Sequence, residues 1–147
     1  MTLSTYQQMQ RFRRYLLEKG LKYTRQRRAI ALAFYRGNKH LSLPELLDLA
    51  KQREKSIGYA TVYRTMKLLC DAGLATEHHF DDGITRFEIT HEHHDHLVCT
   101  LCGKIIEFEC QMIEETQNQI ASRYGFRLLR HRHELYGHCE DCCGDAS

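Results

Sequence analysis

Two Cys-x-x-Cys pairs, Cys99–Cys102 and Cys139–Cys142, with 36 residues between them, constrain this chain more than any other feature. Cysteines two residues apart form a knuckle that offers two thiolates to one cation. Two knuckles close a tetrahedral four-cysteine zinc site of the structural type. The gap exceeds the roughly 15–20 residues of common zinc ribbons, leaving room for a helix and two strands. Gly103 follows the first knuckle and Gly137 precedes the second, which supplies turn chemistry at each. Seven cysteines are an odd number, and no leader with a basic n-region and apolar h-region opens the chain. A cytoplasmic, reducing setting is therefore expected, with metal binding or free thiols in place of a disulfide framework. Two matched pairs argue against unrelated buried thiols. Cys143 adjoins the second knuckle and competes for the fourth position, while Cys70 and Cys110 read as core or incidental thiols.

Ahead of the first knuckle the chain crowds further ligands together. In HEHHDHLVCTLC, residues 91–102, eight of twelve positions can bind a metal: His91, Glu92, His93, His94, Asp95, His96, Cys99 and Cys102. Successive side chains of an extended strand point to opposite faces. His93 and Asp95 then face one way and His94 and His96 the other, so that one strand serves two sites. Glu88, Glu107, Glu114, His40, His131 and His133 are candidates to complete them, and spacing alone does not assign them. Such His and carboxylate sets suit Fe(II), Mn(II), Zn(II), Co(II) or Ni(II). A surface histidine patch accounts for one or two of these residues but not for the whole cluster.

Charge divides the chain in the same place. Residues 1–75 hold 15 Lys+Arg and 5 Asp+Glu, leaving 6 and 14 for residues 76–147, and nine of the ten histidines lie in the second part. A basic front half suits a polyanion and an acidic, ligand-rich back half suits cations. Within the front half, helices are predicted over 6–19, with Tyr6, Met9, Phe12, Leu16 and Leu17 as apolar stripe, and over 25–36, with Thr24 as N-cap. A third follows a Ser42-x-x-Glu45 capping box with Pro44 in its first turn, and a fourth, TVYRTMKLLCDAG, ends at Gly73. The fourth exposes Thr61, Tyr63, Arg64 and Lys67, which is either a reading face for a DNA major groove or a solvated basic face. LATEHHF and ITRFEIT, joined by Asp81-Asp82-Gly83, then read as a β-hairpin. Helices followed by a hairpin on a basic segment favour a winged helix that binds DNA.

The back half reads as a small α+β lobe: short strands DHLVC and KIIEFE, a helix ending at Gly125, and a strand FRLLRHRHELYG. Leu97, Val98, Ile105, Ile106, Phe108, Ile113, Ile120, Phe126, Leu128 and Leu135 are its candidate packing positions. A lobe of this size buries too little to stand alone, so dimerisation or a metal staple is expected. The fold class is thus α+β. Residues 1–90 form an N-terminal winged-helix DNA-binding domain, and residues 91–147 a small C-terminal metal-binding dimerisation domain. A metalloenzyme or a metal-storage protein would leave the basic helical half without a role.

The chain resembles the ferric uptake regulator family over about residues 10–143, through GLKYTRQR (20–27), YATVYRTMKLLCDAGL (59–74), FEIT (87–90), HHDHLVCTLCGKIIEF (93–108) and YGHCEDC (136–142). The resemblance implies a homodimeric, metal-activated repressor of DNA operators, with no catalytic residues and no small-molecule substrate. It further implies structural zinc on Cys99, Cys102, Cys139 and Cys142, a regulatory site of His40, Glu88, His94, His96 and Glu107, and a second site of His93, Asp95, Glu114 and His131. Tyr63 and Arg64 are placed at the bases and Lys22 near the minor groove, while side-chain chemistry adds Thr61 and Arg25 as backbone contacts. Peroxide-sensing relatives usually carry Asp where Glu107 stands, so Glu107 favours an iron-uptake sensor. Fe(II) is the expected regulatory metal, with Mn(II) or Zn(II) as surrogates; peroxide-, manganese- and zinc-sensing members are the alternatives. Members often have a longer histidine run before the Asp, whereas this chain has His93 and His94 after Glu92, and His91, His133 and His138 in addition.

Overall fold

The computed structural model describes residues 3–37, 40–91 and 93–143. They divide after His91 into two compact units, one residue beyond the expected boundary. In the first unit, α1 (Thr5–Glu18), α2 (Arg25–Arg36), α3 (Leu43–Lys51) and α4 (Tyr59–Asp71) pack against a small sheet. The caps are those the sequence implies. Thr24 Oγ1 accepts the Arg27 N–H, and Ser42 and Glu45 exchange hydrogen bonds with Pro44 in the first turn. A further capping box, Ser4 with Gln7, starts α1.

The apolar stripe of α1 is narrower than its sequence suggests. Met9, Phe12 and Leu16 are buried, but Tyr6 and Leu17 are exposed. Phe12, Leu16, Ile30, Phe34, Leu46, Ile57, Val62, Met66, Leu69 and Phe87 make one core beneath the helices and the sheet. At about 1.5–3 kcal/mol for each large side chain removed from water, this core dominates the unit's stability.

The expected hairpin is present as β2 (Ala75–His79) and β3 (Thr85–Ile89), turning at Gly83 with φ 77°. A third strand, β1 (Leu41–Ser42), adds to the outer edge of β3 and gives the order β1-β3-β2. Two residues are too short a run to read as a strand in the sequence, and the capping box of α3 overlaps them. β3 is therefore the central strand, with Leu41 opposite Phe87 on one side and His78 opposite Arg86 on the other.

The second unit holds β4 (Asp95–Cys99), β5 (Ile105–Phe108), α5 (Gln111–Arg123), β6 (Glu134–Gly137) and α6 (Glu140–Cys143). Its sheet runs β5-β4-β6, with β5 antiparallel and β6 parallel to β4. The predicted long strand from Phe126 is confined to its last four residues. Pairing with β4 covers only Glu134–Gly137, and Phe126 and Leu129 lie exposed without a sheet partner to order them. Among the described residues of this unit only Val98, Cys99 and Ala121 are buried apolar positions. Leu97, Ile106, Ile120, Phe126, Leu128 and Leu135, expected to pack, are exposed instead.

Candidate metal centres and nucleic-acid face

Strand alternation in the second unit sorts the ligands as the sequence implies. Immediately before β4, His94 places its Nε2 3.9 Å from Glu107 Oε1 on β5. The His94 and His96 rings stand 4.8 Å apart. The opposite face gathers His93, Asp95, Glu114 and His131. Both His93 Nε2 and His131 Nε2 are 3.3 Å from Glu114 Oε1, and they are 3.3 and 3.4 Å from Asp95 Oδ1. Metal bonds of about 2.0–2.1 Å to nitrogen and oxygen give a tetrahedron with edges of roughly 3.3–3.4 Å; the four histidine–carboxylate separations match that edge, and all four atoms lie within 4.8 Å of one another. Asp95 is 1% exposed and neither of its oxygens receives a hydrogen bond. A buried carboxylate in that condition is costly without a cation, and the donor set fits one.

The knuckles pass the same test. Cys99 Sγ is 3.9 Å from Cys142 Sγ and Cys102 Sγ is 3.7 Å from Cys139 Sγ, against an edge of roughly 3.8 Å for zinc–sulfur bonds of about 2.3 Å. The Cys139 backbone N–H donates to Cys99 Sγ at 3.4 Å, and this contact leads the causes that lower the Cys99 pKa to about 6. The Cys142 thiol donates to Cys102 Sγ, and this bond is the leading cause that pushes the Cys142 pKa up to about 12. Like charges this close oppose one another's ionisation, so the full thiolate set requires a cation. Cys143, exposed, lies outside the four-sulfur set, and Lys104 Nζ to Asp141 Oδ2 (3.0 Å) ties the two knuckles together.

In the first unit the β1–β3 register, continued by one residue, sets His40 opposite Glu88. His40 Nε2 is 2.9 Å from Glu88 Oε2, and Glu88 is 4% exposed. His78, which no reading of the sequence singled out, approaches the other oxygen: its Nε2 is 2.5 Å from Glu88 Oε1. Gln117 was missed as well. Its amide donates to Glu114 Oε2 at 2.8 Å and lies 2.9 Å from His131 Nδ1. Of the extra histidines, His133 Nδ1 is 3.7 Å from Asp95 Oδ2, while His91 and His138 are exposed and fall outside the second set.

The basic face is also in the first unit. A groove of about 430 Å³ between the start of α2 and α4 is lined by Lys22, Thr24, Gln26, Arg27, Thr61 and Arg64, among others. It brings together Lys22, Thr61 and Arg64 but not Arg25 or Tyr63. Arg25 is 93% exposed beyond the groove, 4.0 Å from Glu54, and Tyr63 is exposed on α4. Arg27 was not foreseen, although the Thr24 cap with three arginines in the first turn was a visible signal. Lys67, expected on the reading face, is tied back to Glu77 at 2.6 Å, a bond that raises its pKa.

The sequence model of the ferric uptake regulator family matches residues 18–136. The chain belongs to the ferric uptake regulator family. A ferric uptake regulation protein of Campylobacter jejuni is 42% identical over 137 residues, covering 91% of this chain and 87% of that protein. The Helicobacter pylori ferric uptake regulator, described as having three functional metal-binding sites, superposes with a TM-score of 0.92 at 31% identity, covering 100% of both chains. A zinc-bound manganese uptake regulator superposes with a TM-score of 0.70 at 41% identity, covering 87% of this chain and 98% of that one. Identity alone therefore does not separate iron from manganese within the family. No helix among the described residues is long and apolar enough to cross a membrane.

Proposed function

We propose that this chain is a cytoplasmic, homodimeric, metal-responsive repressor that binds operator DNA, with Fe(II) as corepressor, and that it works by binding without catalysis. The observation that carries the reading is where Glu88 sits. It lies on β3, the central strand of the wing sheet, in the same unit as the groove of Lys22, Thr61 and Arg64. A ligand carboxylate is thus built into the DNA-reading domain itself. His40 and Glu88 from this unit and His94, His96 and Glu107 from the other form the proposed regulatory set. His93, Asp95, Glu114 and His131 form the second set, and the four cysteines hold structural zinc. A bound divalent cation supplies the positive charge that lets the histidines and carboxylates of each set approach one another.

The chain's own groups do the rest. Lys22, Arg27 and Thr61 line a positively charged channel suited to phosphates, and Arg64 extends from α4 with the bidentate geometry that reads guanine. Tyr63 and Arg25 flank that channel. In the second unit, Leu97, Ile106 and Leu135 stand side by side in register on one sheet face, 42–46% exposed. We assign that face to the partner copy, which spaces two reading helices for two half-sites.

Arg64→Ala tests the reading. It is expected to abolish specific DNA binding while zinc and Mn(II) content stay unchanged, and intact DNA binding in this variant would overturn the assignment of the reading face. A response to Zn(II) with Fe(II) and Mn(II) inert would overturn the iron assignment alone.

A further inference from the structure

We propose that His78 is a positioning residue for the regulatory site: it holds Glu88 so that one carboxylate oxygen, Oε2, is presented to the cation beside His40. The inference rests on Glu88 being a regulatory ligand. Glu88 occupies the middle of the three-stranded sheet, so it has a neighbour strand on each side. His40, at the approach to β1, reaches Oε2 at 2.9 Å, and His78 of β2 reaches Oε1 at 2.5 Å. His78 and Glu88 are diagonal partners on one face of the β2–β3 ladder, since His78 pairs with Arg86 and Glu88 with Thr76. Long side chains reach across that diagonal.

The His78 ring is itself fixed. It stacks on Phe80 with centroids 5.5 Å apart and planes 15° from parallel, and Phe80 is 3% exposed. The same phenyl ring meets His40 edge-on at 6.4 Å and carries the Arg86 guanidinium 5.6 Å above it. One buried ring therefore orients the histidines on both flanks of the carboxylate.

The roles of the two histidines differ by chemistry. A carboxylate is an acceptor only, so so short an approach at Oε1 requires the proton on His78 Nε2. A protonated ring nitrogen has no lone pair for a metal, so His78 acts on Glu88 and leaves coordination to His40. With Oε1 turned toward that N–H, Glu88 presents Oε2 on the His40 side. Outer partners of this kind typically change metal affinity about 10–100-fold when removed.

The test uses the full-length dimer with its cysteine zinc loaded, titrated anaerobically with Mn(II). Free Mn(II) is followed by electron paramagnetic resonance and DNA binding by anisotropy. His78→Leu fills the space without a donor, and His78→Gln keeps an N–H. The Leu variant is expected to lose about 10–100-fold in Mn(II) affinity at the regulatory site, with zinc content and DNA binding at saturating Mn(II) unchanged, and the Gln variant is expected to recover most of the loss. Wild-type affinity in His78→Leu, or equal losses in both variants, overturns the role assigned to the N–H. His40→Ala and Glu88→Ala serve as controls: if they too bind Mn(II) like wild type, it is the regulatory site itself that is wrong.

Discussion

Replacing Asp95 by Asn separates a metal site from an ordinary polar cluster, because the two readings give opposite signs. The Asp95 side chain is 1% exposed, and its oxygens face His93 and His131 at 3.3 and 3.4 Å and His133 at 3.7 Å without accepting a hydrogen bond. A buried polar group left unsatisfied costs about 1–3 kcal/mol, and more when charged. Without metal, then, the carboxylate weakens the fold, and its neutral isostere is expected to be as stable or more so by up to a few kcal/mol. For a domain of this size each kcal/mol moves the midpoint by about 4–8 °C. With metal the sign reverses. A cation at 100 times its dissociation constant adds about 2.7 kcal/mol to the native state, and the variant is expected to lose that increment. The assay is calorimetric unfolding with the cysteine zinc retained, with a mild chelator and then with added Zn(II) or Mn(II). If Asp95→Asn destabilises the chelated protein by more than about 1 kcal/mol and keeps its full response to metal, the carboxylate is a structural group and the second site is misassigned.

Thiol labelling followed by mass spectrometry checks the cysteine set. With zinc bound, iodoacetamide is expected to modify the exposed Cys143, and strong chelation is expected to add Cys99, Cys102, Cys139 and Cys142. Cys70, whose pKa burial pushes up to about 11, stays protonated near neutral pH and is expected to label slowly in both states. Leu135→Arg tests the proposed dimer face. Leu97, Ile106 and Leu135 each keep less than half their surface exposed, so covering the rest is worth about 1 kcal/mol apiece, or about 6 kcal/mol from both copies. Sedimentation at micromolar concentration is expected to find a monomer, and an unchanged dimer would move the interface elsewhere.

The parts legible in the sequence are those governed by local periods. The Thr24 cap, the Ser42–Glu45 capping box, the Gly83 turn and the alternation of His93/Asp95 against His94/His96 depend on neighbours a few residues away, and each is found in place. His78 was hidden because its partnership with Glu88 is diagonal across a hairpin. It emerges only once the turn fixes His79 opposite Thr85. β1 was too short to show any period. The apolar residues of the second unit misled for a different reason: a hydrophobic position looks the same whether its own chain or a partner covers it. Leu97 and Leu135 have the pattern of internal packing positions, although the unit places them on its surface. Gln117 follows Glu114 by three residues on α5, a helical spacing that is visible in the sequence.

The central claim is that a divalent cation held by the proposed regulatory set switches DNA binding on. The most direct measurement titrates an operator, selected from a random duplex pool, against the protein under anaerobic conditions with Fe(II), Mn(II) and Zn(II) in turn, with zinc content measured on the same sample. The expected result is binding that tightens with Fe(II) and Mn(II), reverses with a chelator, and does so at constant cysteine-bound zinc. Binding that is equally tight in chelated and metal-loaded protein would contradict the account.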